Sequence, residues 1–224
     1  MNPIARIHTD FPTKFGIPRQ SDMVESLKGT IVFEPEYRNA EALRGMEGFS
    51  HIWLIWEFSE SKREGWSPTV RPPLLGGNTR MGVFATRSPF RPNPIGMSVV
   101  KLEKVELHTE NGPVLHVSGA DMMNGTPIFD IKPYVPYTDS RPDATGGFTD
   151  FVDKTELKVV FPEQLQSLIP VEKRQPLTEV LSLDPRPSYQ NDPERIYGLL
   201  FAGFDIRFSV NEAILTVKEI RIVE

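Results

Sequence analysis

A chain of 224 residues with a formal net charge of −5, 39% hydrophobic and 25% charged residues and no cysteine has the composition of an ordinary soluble globular protein. The missing cysteine excludes disulfides, thiolate nucleophiles and zinc–thiolate sites, and no apolar run reaches membrane-spanning length. The acidic balance argues against a surface coated in positive charge for long duplexes, while leaving room for a local basic cleft that takes a compact nucleic acid. The N-terminus lacks a secretory apolar region, so the cytoplasm is the expected compartment.

In chain order the sequence reads mostly as strands. Ile4 to His8 and Gly29 to Phe33 are the first two, separated by a loop containing Phe15-Gly16-Ile17-Pro18-Arg19-Gln20. Pro35 to Met46 has helical spacing, with Tyr37, Ala40 and Leu43 on one side and Gly45 or Gly48 as its stop. Ser50 to Phe58 is apolar on both alternating faces and reads as a central strand with neither face wet. Lys62 to Pro73 is a loop. Val83 to Ala85, Met97 to Leu107, Pro113 to Ser118 and Pro127 to Lys132 are further strands between turn residues. Short strands at this spacing predict a barrel or strongly curled sheet rather than a doubly wound fold.

A boundary falls in the polar stretch that ends at Gly146-Gly147, dividing the chain into 1–145 and a small α+β domain, 146–224. In the second part, Leu157 to Phe161 reads as a strand. Pro162 to Leu183 reads as one or two short helices interrupted by Pro170 and Pro176, and Asp184 to Tyr189 as a rigid loop. Ile196 to Phe201, Phe204 to Val210 and Ala213 to Val223 form a three-stranded meander. A unit this small is near the limit for independent stability and leans on the first domain or on another subunit.

The stretch from Gly76 to Gly96 organises the rest. Its prolines fix their own φ and hold Ser88, Arg91 and Asn93 extended, so side chains are presented in set directions at low entropic cost. From Gly65 to Leu102 there is no acidic residue, whereas Arg71, Arg80, Arg87, Arg91 and Lys101 are basic. That combination points to recognition of an anion or a flat heterocycle.

Absences narrow the chemistry. Neither a G-x-G-x-x-G turn nor a P-loop is present, and the four histidines lack metal-ligand spacing, so no metal is expected. Ser50 and His51 are adjacent on a predicted strand, where alternation sends them to opposite faces, and His51 reads as structural. Polar residues in strand positions remain. Asp130, Lys132 and Tyr134 share one face of an extended segment, a carboxylate, an ammonium and a phenol that can orient a nucleophile and manage its proton, or simply form a solvent-facing ion pair. Asp121, after Gly119-Ala120, is a turn residue or a contact to a ligand hydroxyl. Arg19 offers a planar fork to an anion, and Gln20 can pair with a purine edge.

The segments FGIPRQ, EGFSHIWLIWEF, RPPLLGGNTRMGVFATRSPFRPNPIGMSVV and GADMMNGTPIFDIKPYVPYTDS closely resemble the TsaA-like family, the tRNA methyltransferases of the O type. The resemblance covers residues 4 to 145 and continues in DPRPSYQNDPERIYGLLFAGFDIRF, similar to the C-terminal extension of bacterial members. Ser59 and Gln190 stand where histidines are expected. The resemblance implies a single-sheet β-barrel, S-adenosylmethionine (SAM) as donor, homodimerisation, and methyl transfer to the exocyclic N6 of threonylcarbamoyladenosine next to the anticodon of tRNA.

Carried over by motif, Pro18, Arg19, Gln20, Glu60, Arg87, Met97, Gly119, Ala120 and Asp121 touch SAM. Asp130 is the candidate base, with Lys132 and Tyr134 orienting it or the substrate, and Asn93 binds the adenine or the threonyl side. Arg71, Arg80 and Arg91, extended by Arg186, Arg195 and Arg207, are candidate phosphate contacts. Two other classes fit the residues: a non-catalytic module binding an adenosine-containing metabolite, and a methyltransferase with a small-molecule acceptor.

Overall fold

The computed structural model describes residues 1–61, 64–151, 156–187, 190 and 192–223. Lys62 and Arg63 of the predicted loop before Pro73, and Ser188 and Tyr189 of the loop after Asp184, lie outside the described residues.

Strand alternation builds the first layer. The strands β1 (Ala5–His8), β2 (Lys28–Phe33), β3 (His51–Glu57), β4 (Thr69–Val70), β5 (Met81–Gly82), β6 (Ile95–Glu106), β7 (Val114–Ser118) and β8 (Thr126–Pro133) follow in order. Six of them close into an antiparallel barrel, β1-β2-β7-β6-β3-β8, which leaves no sheet edge unpaired. Ile7, Ile31, Ile52, Leu54, Val100, Leu115, Val117 and Ile128 fill its interior. The other two strands, β4 and β5, pair only with each other and clip the two limbs of a long loop together.

Two expectations fail locally. Pro35 to Met46 is not a helix but three short 3-10 turns, Pro35–Tyr37, Ala40–Leu43 and Met46–Gly48. Asn39 caps the second turn by accepting from the Glu41 backbone, and Gly45 breaks the run with φ +85. Leu43 is its one fully buried side chain, so no apolar stripe exists to reward a continuous helix. Val83 to Ala85 is likewise a 3-10 turn rather than a buried strand, with Val83 inside and Phe84 out in solvent.

The central strand also differs in degree. Ile52, Leu54 and Trp56 of β3 are buried, while His51, Trp53, Ile55 and Glu57 form a half-covered outer face. Trp53 Nε1 donates to Asp139 of the short helix α1 (Pro136–Asp139), 3.0 Å away, which covers part of that face.

After α1 the chain adds β9 (Lys158–Val160), α2 (Glu163–Gln166), α3 (Val171–Ser182), β10 (Tyr197–Phe201), β11 (Phe204–Asn211) and β12 (Ile214–Ile222). The predicted meander is present and gains a fourth strand, because β9 pairs parallel to β12. The core here is not made by this part alone. Phe11, Val24 and Leu27, from the loop between β1 and β2, are buried in the same cluster as Leu177, Leu199, Phe201 and Phe208, with Phe15 and Ile17 packed at its margin. Gly16 takes φ +87, and a Cβ there would fall inside contact distance of Leu199 Cδ1. Lys173 Nζ meets Asp10 Oδ2 at 2.6 Å across the same junction. No helix among the described residues is long and apolar enough to cross a membrane.

Candidate active site

The loop between β1 and β2 turns back on the barrel at its tip. The Asp22 backbone N–H donates to the Gly119 carbonyl at 2.9 Å, and Gly119 N–H donates to the Leu27 carbonyl at 2.9 Å. Gly119 has φ +78, and a Cβ would press on Asp22 at 3.2–3.4 Å, so the residue must be glycine both for its conformation and for the close approach. This clasp brings together residues far apart in sequence. Pro18 is buried, Arg19 is exposed, and the Gln20 amide oxygen accepts from Arg87 Nη1.

Behind them stands Asp121. Trp56 Nε1 donates to Ser98 Oγ at 3.0 Å, and the Ser98 hydroxyl donates to Asp121 Oδ1 at 2.6 Å. Gly96 leaves room for the Trp56 ring, which would overlap any Cβ at that position. Burial pushes the Asp121 carboxyl above its ordinary value, against the opposing pull of the Ser98 hydroxyl, nearby backbone N–H groups and the Arg87 charge. Lys14 Nζ donates to the Glu60 carbonyl at 3.0 Å, which ties the turn Ser59–Ser61 to the same loop.

A second group lies on the outer face of the barrel, running from Ile55 back toward the start of β3. In the β3–β6 and β3–β8 ladders, Ile55 is flanked by Met97 on one side and Asp130 on the other. Strand spacing puts those two about 10 Å apart. Met97 is half exposed. Asp130 and Lys132 form an ion pair at 2.9 Å with side chains 48% and 65% exposed, so the carboxylate is reachable from solvent. The Tyr134 ring sits 5.9 Å from Trp53 and 6.3 Å from His51. Ser50 and His51, expected on opposite faces, touch: Ser50 Oγ and His51 Nδ1 are 2.9 Å apart, because β3 begins only at His51 and Ser50 is free of the alternation. Asn93 is exposed, and its carbonyl accepts from the Ile95 N–H at 2.8 Å where the chain enters β6.

Residues 6–140 match the family model of the tRNA-methyltransferase O N-terminal domain, and residues 154–223 that of the TrmO C-terminal domain. The chain belongs to the TrmO family. It is 42% identical over 218 residues to the tRNA (adenine(37)-N6)-methyltransferase of Escherichia coli K12, covering 94% of this chain and 92% of that protein. A putative S-adenosylmethionine-dependent methyltransferase of Pseudomonas aeruginosa PAO1, RcsF, is 40% identical, covering 93% and 91%. A crystal structure of TrmO from Pseudomonas aeruginosa superposes with a TM-score of 0.76 at 32% identity, covering 98% of this chain and 96% of that one.

The arginines of this TrmO chain divide into two sets. The Arg71 and Arg19 side chains are exposed and engage no partner among the described residues, although the Arg19 carbonyl accepts from Gln20 Nε2, and the Arg80 side chain donates to Thr69 Oγ1 at 3.3 Å. Arg91 instead serves its own loop, donating to the Thr86 carbonyl at 2.7 Å and the Val83 carbonyl at 3.4 Å. In the second part, Arg186 is paired with Asp184 and largely buried, Arg207 is paired with Asp205, and Arg195 lies over the Tyr197 ring. Ser98 and Trp56 escaped the sequence reading. The signal was a serine among the inward positions Gly96, Val100 and Leu102 of β6, opposite Leu54 and two residues from the Gly96–Trp56 pair.

Proposed function

We propose that this chain is a SAM-dependent methyltransferase acting on the exocyclic N6 of threonylcarbamoyladenosine in tRNA, at the adenine 37 in the name of the Escherichia coli relative. The observation that carries the reading is the convergence of Gln20, Arg87 and Asp121 at one barrel end, in a chain that aligns with TrmO proteins over nearly its whole length. The donor set fits SAM: a desolvated carboxylate at Asp121 suits a cation, the guanidinium forks of Arg87 and Arg19 suit a carboxylate, and the Gln20 amide suits a purine edge. Pro18, Gly119 and Ala120 supply backbone and apolar walls. Glu60 and Met97 border the same end. When bound, SAM supplies an electrophilic methyl group.

The protein's own residues orient the acceptor and handle its proton. The target nitrogen lies between a purine ring and a carbonyl and is a poor nucleophile while protonated. Asp130, solvent-accessible, paired with Lys132 and held by the Ile131 N–H, accepts that proton, while Tyr134, packed on Trp53, orients the substrate. Asn93 binds the adenine or the threonyl side. Arg71 and Arg80 meet phosphates, and rigid positioning carries much of the rate gain. Homodimerisation and a cytoplasmic setting belong to the same reading.

The test is methyl transfer from labelled SAM to tRNA with and without the threonylcarbamoyl group, using wild type and Asp130→Asn. The expected result is label in modified tRNA alone, with kcat about 10²- to 10⁴-fold lower in the variant and SAM affinity unchanged. Label in neither tRNA overturns the function. Full activity in Asp130→Asn removes that residue from the proton transfer.

A further inference from the structure

Trp66 and Phe84 are large aromatics left 54% and 72% exposed on the acid-free loop, with ring centroids 5.9 Å apart and planes inclined by 32°. The mount beneath them is stiff. Val83 is buried, its N–H donates to the Pro68 carbonyl at 2.9 Å, and the β4–β5 pairing joins Thr69 to Gly82 and Val70 to Met81. Arg91 adds a brace: its guanidinium carbon is 5.9 Å from the Phe84 centroid while its N–H groups hold the Thr86 and Val83 carbonyls. Two rings fixed on a rigid, positively charged arm present flat apolar faces at little entropic cost.

The charge of the arm selects the occupant. Between Gly65 and Leu102 it carries arginines and a lysine but no carboxylate. A second copy meeting this patch across a two-fold axis would set the arginines against their own copies, whereas an anionic chain with unstacked bases meets both features at once. We propose that Trp66 and Phe84 are a stacking platform for unpaired bases of the RNA substrate. The proposal rests on the tRNA reading above and adds the site by which an anticodon loop, rather than its stem, is held.

The experiment uses the full chain, Trp66→Ala, Phe84→Ala and the rescue variant Trp66→Phe, with thermal melting to confirm the fold. The probes are an anticodon stem-loop RNA and a duplex of the same stem without its loop, each titrated at several salt concentrations, alongside SAM binding and sedimentation mass. Each alanine variant weakens stem-loop binding by about five- to a hundredfold, the range of stacking losses per base, while the salt slope, duplex binding, SAM affinity and mass stay at wild-type values. Trp66→Phe restores most of the loss. Equal stem-loop affinity in wild type and variants overturns the platform while leaving the tRNA reading standing. A fall in mass assigns the rings to a subunit interface and overturns it too. A wild type that binds neither RNA sinks both readings.

Discussion

The two hydrophobic cores differ in where their side chains come from. The barrel fills itself from its own strands. The second core takes Phe11, Val24 and Leu27 from the loop between β1 and β2, so its sheet and α3 are completed by residues more than a hundred positions earlier in the chain. That loop also carries Pro18, Arg19 and Gln20. Its tip is fixed to the barrel by hydrogen bonds to Gly119, and its flanks are fixed to the other unit by apolar packing. The candidate SAM loop is therefore a strap between two cores, anchored on the C-terminal unit by its apolar side chains.

The largest effect should come from cutting the strap on its apolar side. Leu199 is fully buried and lies against Gly16. Leu199→Ala should cost about 2–5 kcal/mol of stability, and SAM affinity should fall with it at temperatures where the variant is still folded. Leu215→Ala serves as the comparison: it is equally buried in the same cluster, on a strand paired through Val159 and Val210, without the close approach that Leu199 makes to Gly16. It should cost similar stability with SAM affinity intact. Equal losses of SAM affinity in both variants would mean general softening rather than a strap.

A smaller effect is expected at the polar side of the same junction. Lys173 and Asp10 are paired with side chains 28% and 15% exposed, so removing one partner strands the other in a partly dry place. Lys173→Met should destabilise by about 1–3 kcal/mol, and Asp10→Asn in the same chain should recover part of it. Denaturant titration of the two single variants and the double variant gives the coupling. Additive losses would show that the pair does not join the two units.

The barrel was legible because strand signals are local: short apolar runs between turn residues mark most of its strands, although β3 reads as dry on both faces and is buried only at Ile52, Leu54 and Trp56. The strap was not legible. Phe11, Phe15, Ile17, Val24 and Leu27 follow neither a helical nor a strand period, and nothing in their spacing says which core they enter. The helix predicted from Pro35 failed because spacing was weighed over punctuation, with Asn39 and Gly45 already marking breaks. Of the candidate site, the Asp130–Lys132 pair followed from alternation alone. Gln20, Arg87 and Asp121 each stood out as polar residues in the sequence, but their grouping came from resemblance, since only the fold brings Arg87 to Gln20 and beside Asp121.

The smallest expected change in stability has the opposite sign and falls on the barrel side of the strap. Asp121 is held above its ordinary value mainly by burial, so the folded state keeps a proton that the unfolded state has released. Between the unfolded value and the raised folded one, stability drops as pH rises. At neutral pH, above the unfolded value, this group is a net cost to the fold. Asp121→Asn keeps an oxygen for the Ser98 hydroxyl and removes the charge, so at neutral pH it should melt at or slightly above the wild-type temperature. The same change should weaken SAM binding. In wild type that binding should tighten as pH climbs through the raised Asp121 titration, because only the ionised carboxylate attracts a cation, and in the variant this pH dependence should be gone. A variant that melts lower yet binds SAM with an unchanged pH profile would make Asp121 a structural turn residue, and the barrel side of the strap would then hold the loop without contributing to the site.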